Sequence, residues 1–379
     1  MKKILLGLCL AAATIFASAG MSAAEEAKPT GVSAEDIKKA LGMSIYLQGG
    51  YTYNLADPDS GINQGRVFDQ KANTFSLDLA QLVFTKDAPV GGIGYKLKLS
   101  AGETAKYIHA AGLGSTAAGE TPHPYDLTEA YISYIAPLGK GLKFQAGKFV
   151  TMHGAEVIEA KDNMNYSRSF LFNYAIPFTH TGVMIGYSFT DQITANLYVV
   201  NGWDNFNDEG KSKTLCLSTS FNPSEQISLM LNLMNGREVR VNAPTDSNRF
   251  LTDFVATVKP FKNFTFVLNT DYAKQSHDAA DGSDAKWYGL AGYAKYDFSD
   301  LFSAAIRAEY FNDNDGVRTG TAQKLKEVTL TPEFRIAKDL IVRPEYRHDW
   351  SDRKFFDSSH TAGNKKGQDT IALGVMYTW

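Results

Sequence analysis

The chain is dominated from Met43 onward by segments in which apolar and polar residues alternate, joined by connections that are short and long in turn. Each segment has about ten residues, the length that a tilted strand needs to cross a lipid bilayer. The long connections are polar and rich in glycine, at about 55–71, 104–124, 152–179, 204–212, 237–248, 276–285, 313–323 and 350–367. The sequence therefore predicts an all-β fold, a transmembrane antiparallel β-barrel of about 16 strands with short periplasmic turns and long extracellular loops.

The two faces of a segment differ in polarity, as a barrel in lipid requires. Phe264 and Phe266 share one face, whereas Asp271 lies on the other. A barrel places its apolar face outward, toward the acyl chains, and its polar face inward. The alternation breaks in the segments 75–84 and 125–136, and we expect a β-bulge in each.

The chain begins differently from the rest. Residues 1–24 have the pattern of a secretory signal peptide, with two lysines before an apolar run. Residues 25–41 follow as a periplasmic N-terminal lead, in which Ser33 before acidic residues allows a short capped helix. The barrel is expected to occupy 42–379. After the signal peptide Cys216 is the only cysteine, so no disulfide framework and no cysteine metal site are expected.

Three segments resemble a known family when they are taken together. They are "RVFDQKANTFSLDLAQLVF" at 66–84, the stretch from "GKF" to "PFTHTGV" at 147–183, and "VVNGWDN" at 199–205. They resemble the β-barrel porin-2 family, the OmpL-like porins of Gram-negative outer membranes. The resemblance implies an outer-membrane porin, and similar porins imply a homotrimer. It supplies no selectivity residues that can be carried over.

Charged residues at every second position mark the face that would line the interior. This pore-wall set consists of Lys96, Lys98, Arg307, Glu309, Glu333, Arg335, Arg343, Glu345 and Arg347. Charges on a lumen face set ion preference, whereas the same charges facing lipid at mid-bilayer would cost about 2–4 kcal/mol. Opposite charges on neighbouring strands also pair as structural ladders, so both interpretations stay open. The net charge of −3 does not decide between anions and cations.

The connection at 152–179 is the longest. It lies between the fifth and sixth predicted strands, the position of the loop that folds into the lumen in many similar porins. We expect it to fold inward, with a short helical turn over 155–162. Its charged residues would then narrow the pore: Glu156, Glu159, Lys161, Asp162 and Arg168. The alternative is that the segment caps the barrel mouth, with its phenylalanines packed against the upper wall.

Catalytic and metal sites have little support. His153 and His180 flank two glutamates, but the His-x3-His and His-Glu-x2-His spacings are absent. Ser167 lacks the Gly-x-Ser-x-Gly elbow of a serine hydrolase. The acidic loops 204–210 and 312–316 match no EF-hand register, and solvated turns explain them more simply. We therefore predict no enzyme, no metal, no cofactor and no nucleic-acid partner.

The function that these features favour is passive diffusion of small hydrophilic solutes or ions through a water-filled barrel. Its surroundings would be the lipid of a Gram-negative outer membrane. A different class of function is a barrel that serves as a sleeve or docking component for another protein, such as an electron-transfer cytochrome. The chain has no Cys-x2-Cys-His haem site, so it could not conduct electrons alone. A third class is a secreted soluble β-protein.

Overall fold

A computed structural model describes residues 33–113, 122–208, 212–242 and 245–379. The predicted signal peptide, 1–24, and the first part of the N-terminal lead, 25–32, lie outside these residues.

The described part of the chain forms a closed antiparallel barrel of sixteen strands, in which the first strand pairs with the last. In chain order the strands are β1 Met43–Asn54, β2 Thr74–Lys86, β3 Ile93–Ala101, β4 Tyr125–Ala136, β5 Leu142–Val150, β6 Thr179–Ser188, β7 Ile193–Val200, β8 Thr214–Ser224, β9 Ile227–Val239, β10 Asp246–Phe261, β11 Phe264–Gln275, β12 Ala285–Asp297, β13 Phe302–Asp313, β14 Gln323–Ala337, β15 Leu340–Ser351, β16 Phe356–Ser358, β17 Thr361–Lys365 and β18 Gly367–Thr378. The pair β16 and β17 is a separate small hairpin in the last long connection. The predicted fold class is confirmed.

Helical structure is sparse in the described residues. Helix α1, Ala34–Leu41, is capped by Ser33, whose hydroxyl accepts a 3.1 Å hydrogen bond from the Asp36 N–H. Short 3₁₀ turns occur at Thr104–Lys106 and Ala160–Asp162, and a π-helical turn at Leu171–Ala175. No helix among the described residues is long and apolar enough to span a membrane.

The barrel wall has an apolar outer face and a largely polar inner face. Phe266, Leu290 and Leu373 point outward and are 38%, 47% and 46% exposed, as expected for side chains that meet lipid. The inner face is buried along much of its height, at residues that include Ser100, Thr128, Cys216, Asn232, Asp253, Asp271, Ala291, Glu309, Thr329, Glu345 and Thr370. Material inside the barrel must therefore cover this face.

Both predicted β-bulges are confirmed. The register of β1 against β2 shifts at Gln48 and Gly49, which leaves Asp78 as the extra residue of β2. The register of β3 against β4 shifts in the same way at Thr128. A bulge turns two successive side chains toward one face, and Asp78 accordingly joins Leu79 among the buried residues.

Two predicted boundaries were wrong. The loop predicted at 237–248 is only 240–245, because β9 and β10 continue their ladder to Val239 and Asp246. The helical turn predicted over 155–162 is limited to Ala160–Asp162. Side chains bind the backbone of its first part instead: the Ala155 N–H donates to Asn269 of β11 at 3.1 Å, and the N–H and carbonyl of Val157 bond with the Asn163 side chain at 2.8 Å each.

Candidate functional site

The connection between β5 and β6, residues 151–178, lies inside the barrel, and we call it the inner loop. Its Tyr166 hydroxyl donates a 2.6 Å hydrogen bond to Asp78 of β2. On the other side of the barrel the Trp287 indole of β12 donates to the Ala175 carbonyl at 3.0 Å. The wall is shaped for this loop, since a Cβ at Gly374 would lie 2.3 Å from the Tyr166 ring.

Carboxylates of the wall accept hydrogen bonds from the backbone of the inner loop. Glu345 accepts from the N–H groups of Tyr166 and Ser167 at 2.7 and 3.0 Å. Glu309 binds the next pair, the N–H groups of residues 170 and 171, at 2.6 Å each. Asp253 accepts from the N–H of residue 154 at 3.0 Å. The loop has little secondary structure of its own, so these carboxylates satisfy buried donors that would otherwise be costly.

Guanidinium groups of the wall donate hydrogen bonds to backbone carbonyl groups of the inner loop. Arg307 donates to the Ser167 carbonyl at 2.7 Å. Arg343 donates to the carbonyls of residues 160 and 165 at 2.5 and 3.2 Å. Arg347 donates to the Arg168 carbonyl at 2.6 Å. The alternating Arg and Glu side chains thus match the alternating acceptors and donors of a loop backbone.

The same arginines pair with acidic residues of the wall. Arg307 lies 2.6 Å from Glu327, and Arg343 lies 2.6 Å from Glu333. The structural-ladder interpretation therefore describes part of their contacts. Arg335 also pairs with Glu333, at 2.8 Å, but its side chain is 36% exposed at the short-turn end of the barrel.

The charged residues of the inner loop are of two kinds. Glu156 and Arg168 are buried within the protein. Glu156 lies 2.7 Å from Arg307, and Arg168 donates to the carbonyls of residues 158 and 166. Lys161 and Asp162 instead pair with each other at 2.7 Å and reach water, the Asp162 side chain being 54% exposed.

Glu159 joins the inner loop to the first strands of the barrel. It lies 2.7 Å from Lys98 and accepts a 2.8 Å hydrogen bond from Gln81. Burial alone would raise the pKa of Glu159, but the Lys98 ammonium and these hydrogen bonds outweigh it and hold the pKa below its usual value. Lys96 and Lys98 also share Glu129, at 2.8 and 2.9 Å. The predicted loop and wall charges meet here in one cluster.

Three phenylalanine rings form a cluster, and we call Phe68, Phe172 and Phe178 the Phe cluster. The alternative interpretation of the loop placed Phe170, Phe172 and Phe178 against the upper wall, whereas sequence reasoning did not single out Phe68. Each pair of ring centroids is 5.5 Å apart. The Arg168 guanidinium lies over the Phe68 ring, 4.8 Å from its centroid. Phe68 comes from the connection between β1 and β2, whereas the other two rings belong to the inner loop. No pattern in the sequence brings these positions together.

Two cavities flank the Phe cluster. The lower cavity has a volume of about 470 Å³ and is lined toward the short-turn end by Ser44, Thr85, Lys96 and Thr378, and at its deep end by Thr151, Phe172 and Phe178. The outer pocket, toward the long-loop end, is lined by residues that include Thr52, Phe68, Lys71, Glu103, Tyr107 and Tyr166. Its volume of about 10 Å³ is close to the room needed by one water molecule. Phe172 and Phe178 line the lower cavity and Phe68 lines the outer pocket, so the Phe cluster lies between the two spaces.

The connection that carries Phe68 also folds over the barrel interior. Its Arg66 is buried and lies 2.6 Å from Asp349 of β15. The surrounding carboxylates raise the pKa of Arg66 above its usual value against the effect of burial. A charged residue in a glycine-rich loop gave no signal that it would be buried.

The second end of the inner loop is held by Asp204. Its carboxylate accepts hydrogen bonds from the N–H groups of Phe178 and Thr179 at 2.6 and 2.9 Å. Burial raises the pKa of Asp204 to about 6, although these donors favour the ionised form. Residues 209–211 of the acidic segment lie outside the described residues.

The histidines that flank the charged segment lie near each other. Thr151 Oγ1 is 3.1 Å from His153 Nδ1 and 3.2 Å from His180 Nε2. Burial, together with the neighbouring His180, holds the pKa of His153 well below its usual value. Within the described ranges no group of three or more His, Cys, Asp and Glu side chains is placed to hold a metal ion.

A family comparison decides what kind of barrel this is. The model of the family described as "Putative beta-barrel porin-2, OmpL-like" matches residues 40–379. The chain belongs to this porin family. The porin-2 membership confirms the resemblance found in the sequence, and it identifies the protein as a channel for passive diffusion. A search of curated proteins found no match.

Three solved structures have a fold similar to that of this porin-2 member. The outer-membrane channel DcaP of Acinetobacter baumannii has a TM-score of 0.62 at 9% identity, over 89% of this chain and 96% of that chain. An anion-selective porin from Comamonas acidovorans has a TM-score of 0.60 at 10% identity, over 89% and 98%. OprB of Pseudomonas putida has a TM-score of 0.59 at 12% identity, over 91% and 96%. At these identities the likeness shows the fold alone.

Proposed function

We propose that the protein lies in the outer membrane of a Gram-negative bacterium and lets small hydrophilic solutes or ions diffuse between the inner loop and the wall formed by β1 to β5. The observation that carries this proposal is the lower cavity, which runs from the short-turn end to the Phe cluster. The outer pocket lies on the far side of the same three rings. In this proposal a solute path through this part of the barrel requires the Phe cluster to move aside.

The constriction in this proposal is aromatic. Most of the charged wall residues are committed to the inner loop or to each other, so they hold the loop in place and leave few free charges. The accessible charges of the lower cavity are mixed, with Lys96 and Lys161 beside Asp162. Width at the Phe cluster would therefore limit the flux, and hydrophobic constrictions are known to control conduction through wetting.

The sleeve alternative is disfavoured by the same geometry. Another protein inside the barrel would need the space that the inner loop occupies. Phe170, Leu171 and Tyr166 of that loop are almost fully buried against the wall. Displacing them would expose apolar surface and break the backbone hydrogen bonds to Glu309 and Glu345. The homotrimer expected from similar porins stays a prediction.

Reconstitution of the purified protein in a planar bilayer tests the proposal. We expect discrete conductance steps in salt solution without any partner protein, because the path lies within one chain. Liposomes that contain the protein should also swell in small sugars and amino acids. Protein that inserts as a folded barrel but gives neither conductance steps nor solute flux would refute the channel and leave the sleeve as the better hypothesis.

A further inference from the structure

Three lysines stand on the outer face of the barrel near its long-loop end. Lys286 lies on β12, and Lys324 and Lys326 lie on β14; all three are exposed. The strand between them places Asn312 opposite Lys324 and Tyr310 opposite Lys326. Across two strand spacings Lys286 lies about 12 Å from Lys324 and about 17 Å from Lys326, because Tyr288 pairs with Asn312 and Lys286 is two residues further along β12. The three lysines therefore form one patch on the outer face that is wider than a single phosphate group.

These lysines differ from other cations at the same end of the barrel. Lys213, Arg237 and Lys274 each have an acidic partner within 2.9 Å. Lys286, Lys324 and Lys326 make no ion pair with any described residue. The two nearby carboxylates, Asp315 and Asp352, accept hydrogen bonds from the backbone N–H groups of Lys286 and Lys324. Exposed Lys366 is a further cation in this region. Its carbonyl accepts a hydrogen bond from the Ser351 N–H, which places it beside the end of β15.

An apolar strip continues below these lysines on the outer face. Leu290, Ile306, Val328 and Leu330 are 37–48% exposed on the same strands. Trp350, opposite Lys326 in the register of β14 and β15, stands at the boundary. Aromatic rings are enriched where a membrane protein meets the headgroup level. Cations above a ring and an apolar strip match a lipid that has anionic headgroups above acyl chains.

We propose that Lys286, Lys324 and Lys326 bind the phosphate groups of a phosphorylated glycolipid in the outer leaflet. This inference rests on the proposed outer-membrane location, because that location places the long loops outside, but it does not depend on conduction. The acyl chains of the lipid would lie along the apolar strip. Basic residues at headgroup level attract anionic lipids by the same electrostatics in other membrane proteins.

Binding of lipid A, a glycolipid with two phosphates, to the purified protein in detergent tests this site. We expect the triple variant Lys286→Gln, Lys324→Gln, Lys326→Gln to bind lipid A at least about tenfold more weakly than the wild type. The matched control, Lys213→Gln, Arg237→Gln, Lys274→Gln, removes three paired cations from the same end and should keep the affinity. Dephosphorylated lipid A should bind the wild type as weakly as lipid A binds the triple variant.

Two results would overturn the site: unchanged affinity of the triple variant, or equal affinity of the wild type for the dephosphorylated lipid. Conductance of the triple variant in a neutral bilayer separates this test from that of the channel. The lysines lie outside the lumen, so we expect that conductance to equal the wild-type value. A channel that fails to conduct would leave the lipid measurement in detergent unaffected.

Discussion

Replacing Phe68 by Ala should raise the single-channel conductance roughly twofold or more, because the ring stands at the narrowest part of the proposed path. The side chain contacts both other members of the Phe cluster, with ring centroids 5.5 Å away in each case. Removing it widens the space between the outer pocket, which Phe68 lines, and the two rings that line the lower cavity. Phe178→Ala should act in the same direction, since its ring lines the lower cavity. The measurement is current through single channels in a planar bilayer.

Phe266→Ala is the matched control for this experiment. Its ring faces outward from β11 and is 38% exposed, so its loss changes the lipid-facing surface but not the interior. We expect wild-type conductance from this variant. If Phe68→Ala and Phe178→Ala also conduct like the wild type while folding normally, the Phe cluster does not limit the flux.

Replacing Arg307 by Met should destabilise the protein by about 3–5 kcal/mol, because it leaves buried Glu156 without its cation and Glu327 with only Arg347, 3.6 Å away. The guanidinium lies 2.7 Å from Glu156 and 2.6 Å from Glu327 and also binds the loop backbone at Ser167. The inner loop then loses one of its attachments to the wall. We expect a lower free energy of unfolding in urea and a current that fluctuates more between open levels.

Arg335→Met is the matched control for Arg307→Met, because it removes the same charge from a different part of the wall. Arg335 pairs with Glu333, but it is 36% exposed at the short-turn end and contacts no residue of the inner loop. Without Arg335, Glu333 still pairs with Arg343 at 2.6 Å and Lys295 at 3.3 Å. A partly exposed cation contributes about 0–1 kcal/mol, so stability and current noise should stay near the wild-type values. An equal loss of stability in both variants would mean that Arg307 acts only through its charge on the barrel and not through the loop.

The barrel itself could be predicted from the sequence because the sequence features that determine it are local and repeated along the chain. Alternation of apolar and polar residues specifies which face meets lipid, and the short and long connections specify the ends. The break in phase within the segment 75–84 predicted a bulge, which the structure places at Asp78. Each of these features is determined by residues a few positions apart, so no knowledge of distant contacts is needed.

The interior could be predicted only in part. Glu345 and Arg343 lie at alternate positions of one strand, which shows that they face inward, but nothing in that pattern shows what they bind. Their partners are backbone groups almost 180 residues away in the chain, at Tyr166 and Asn165. The role of Phe68 was missed for the same reason, because its contacts come from a different loop. Contacts between loops form only once the barrel has closed. They produce no periodic pattern of residues in the sequence from which they could be predicted.

The most direct test of the solute path is the block of current by a thiol reagent at the tip of the inner loop. Asp162 lines the lower cavity, and its side chain is 54% exposed. A bulky maleimide added to Asp162→Cys from the short-turn side should reduce the current by roughly half or more, because it fills part of a narrow aqueous path. The control is Asp191→Cys, in the turn between β6 and β7, where the side chain is 96% exposed.

We expect that control, and the wild type with its buried Cys216, to keep their current in the presence of the reagent. Labelling measured by mass spectrometry establishes that each introduced thiol has reacted. A strong block of the Asp162→Cys channel alone is the predicted result. Full labelling at residue 162 with no change in current would contradict a path between the inner loop and the wall.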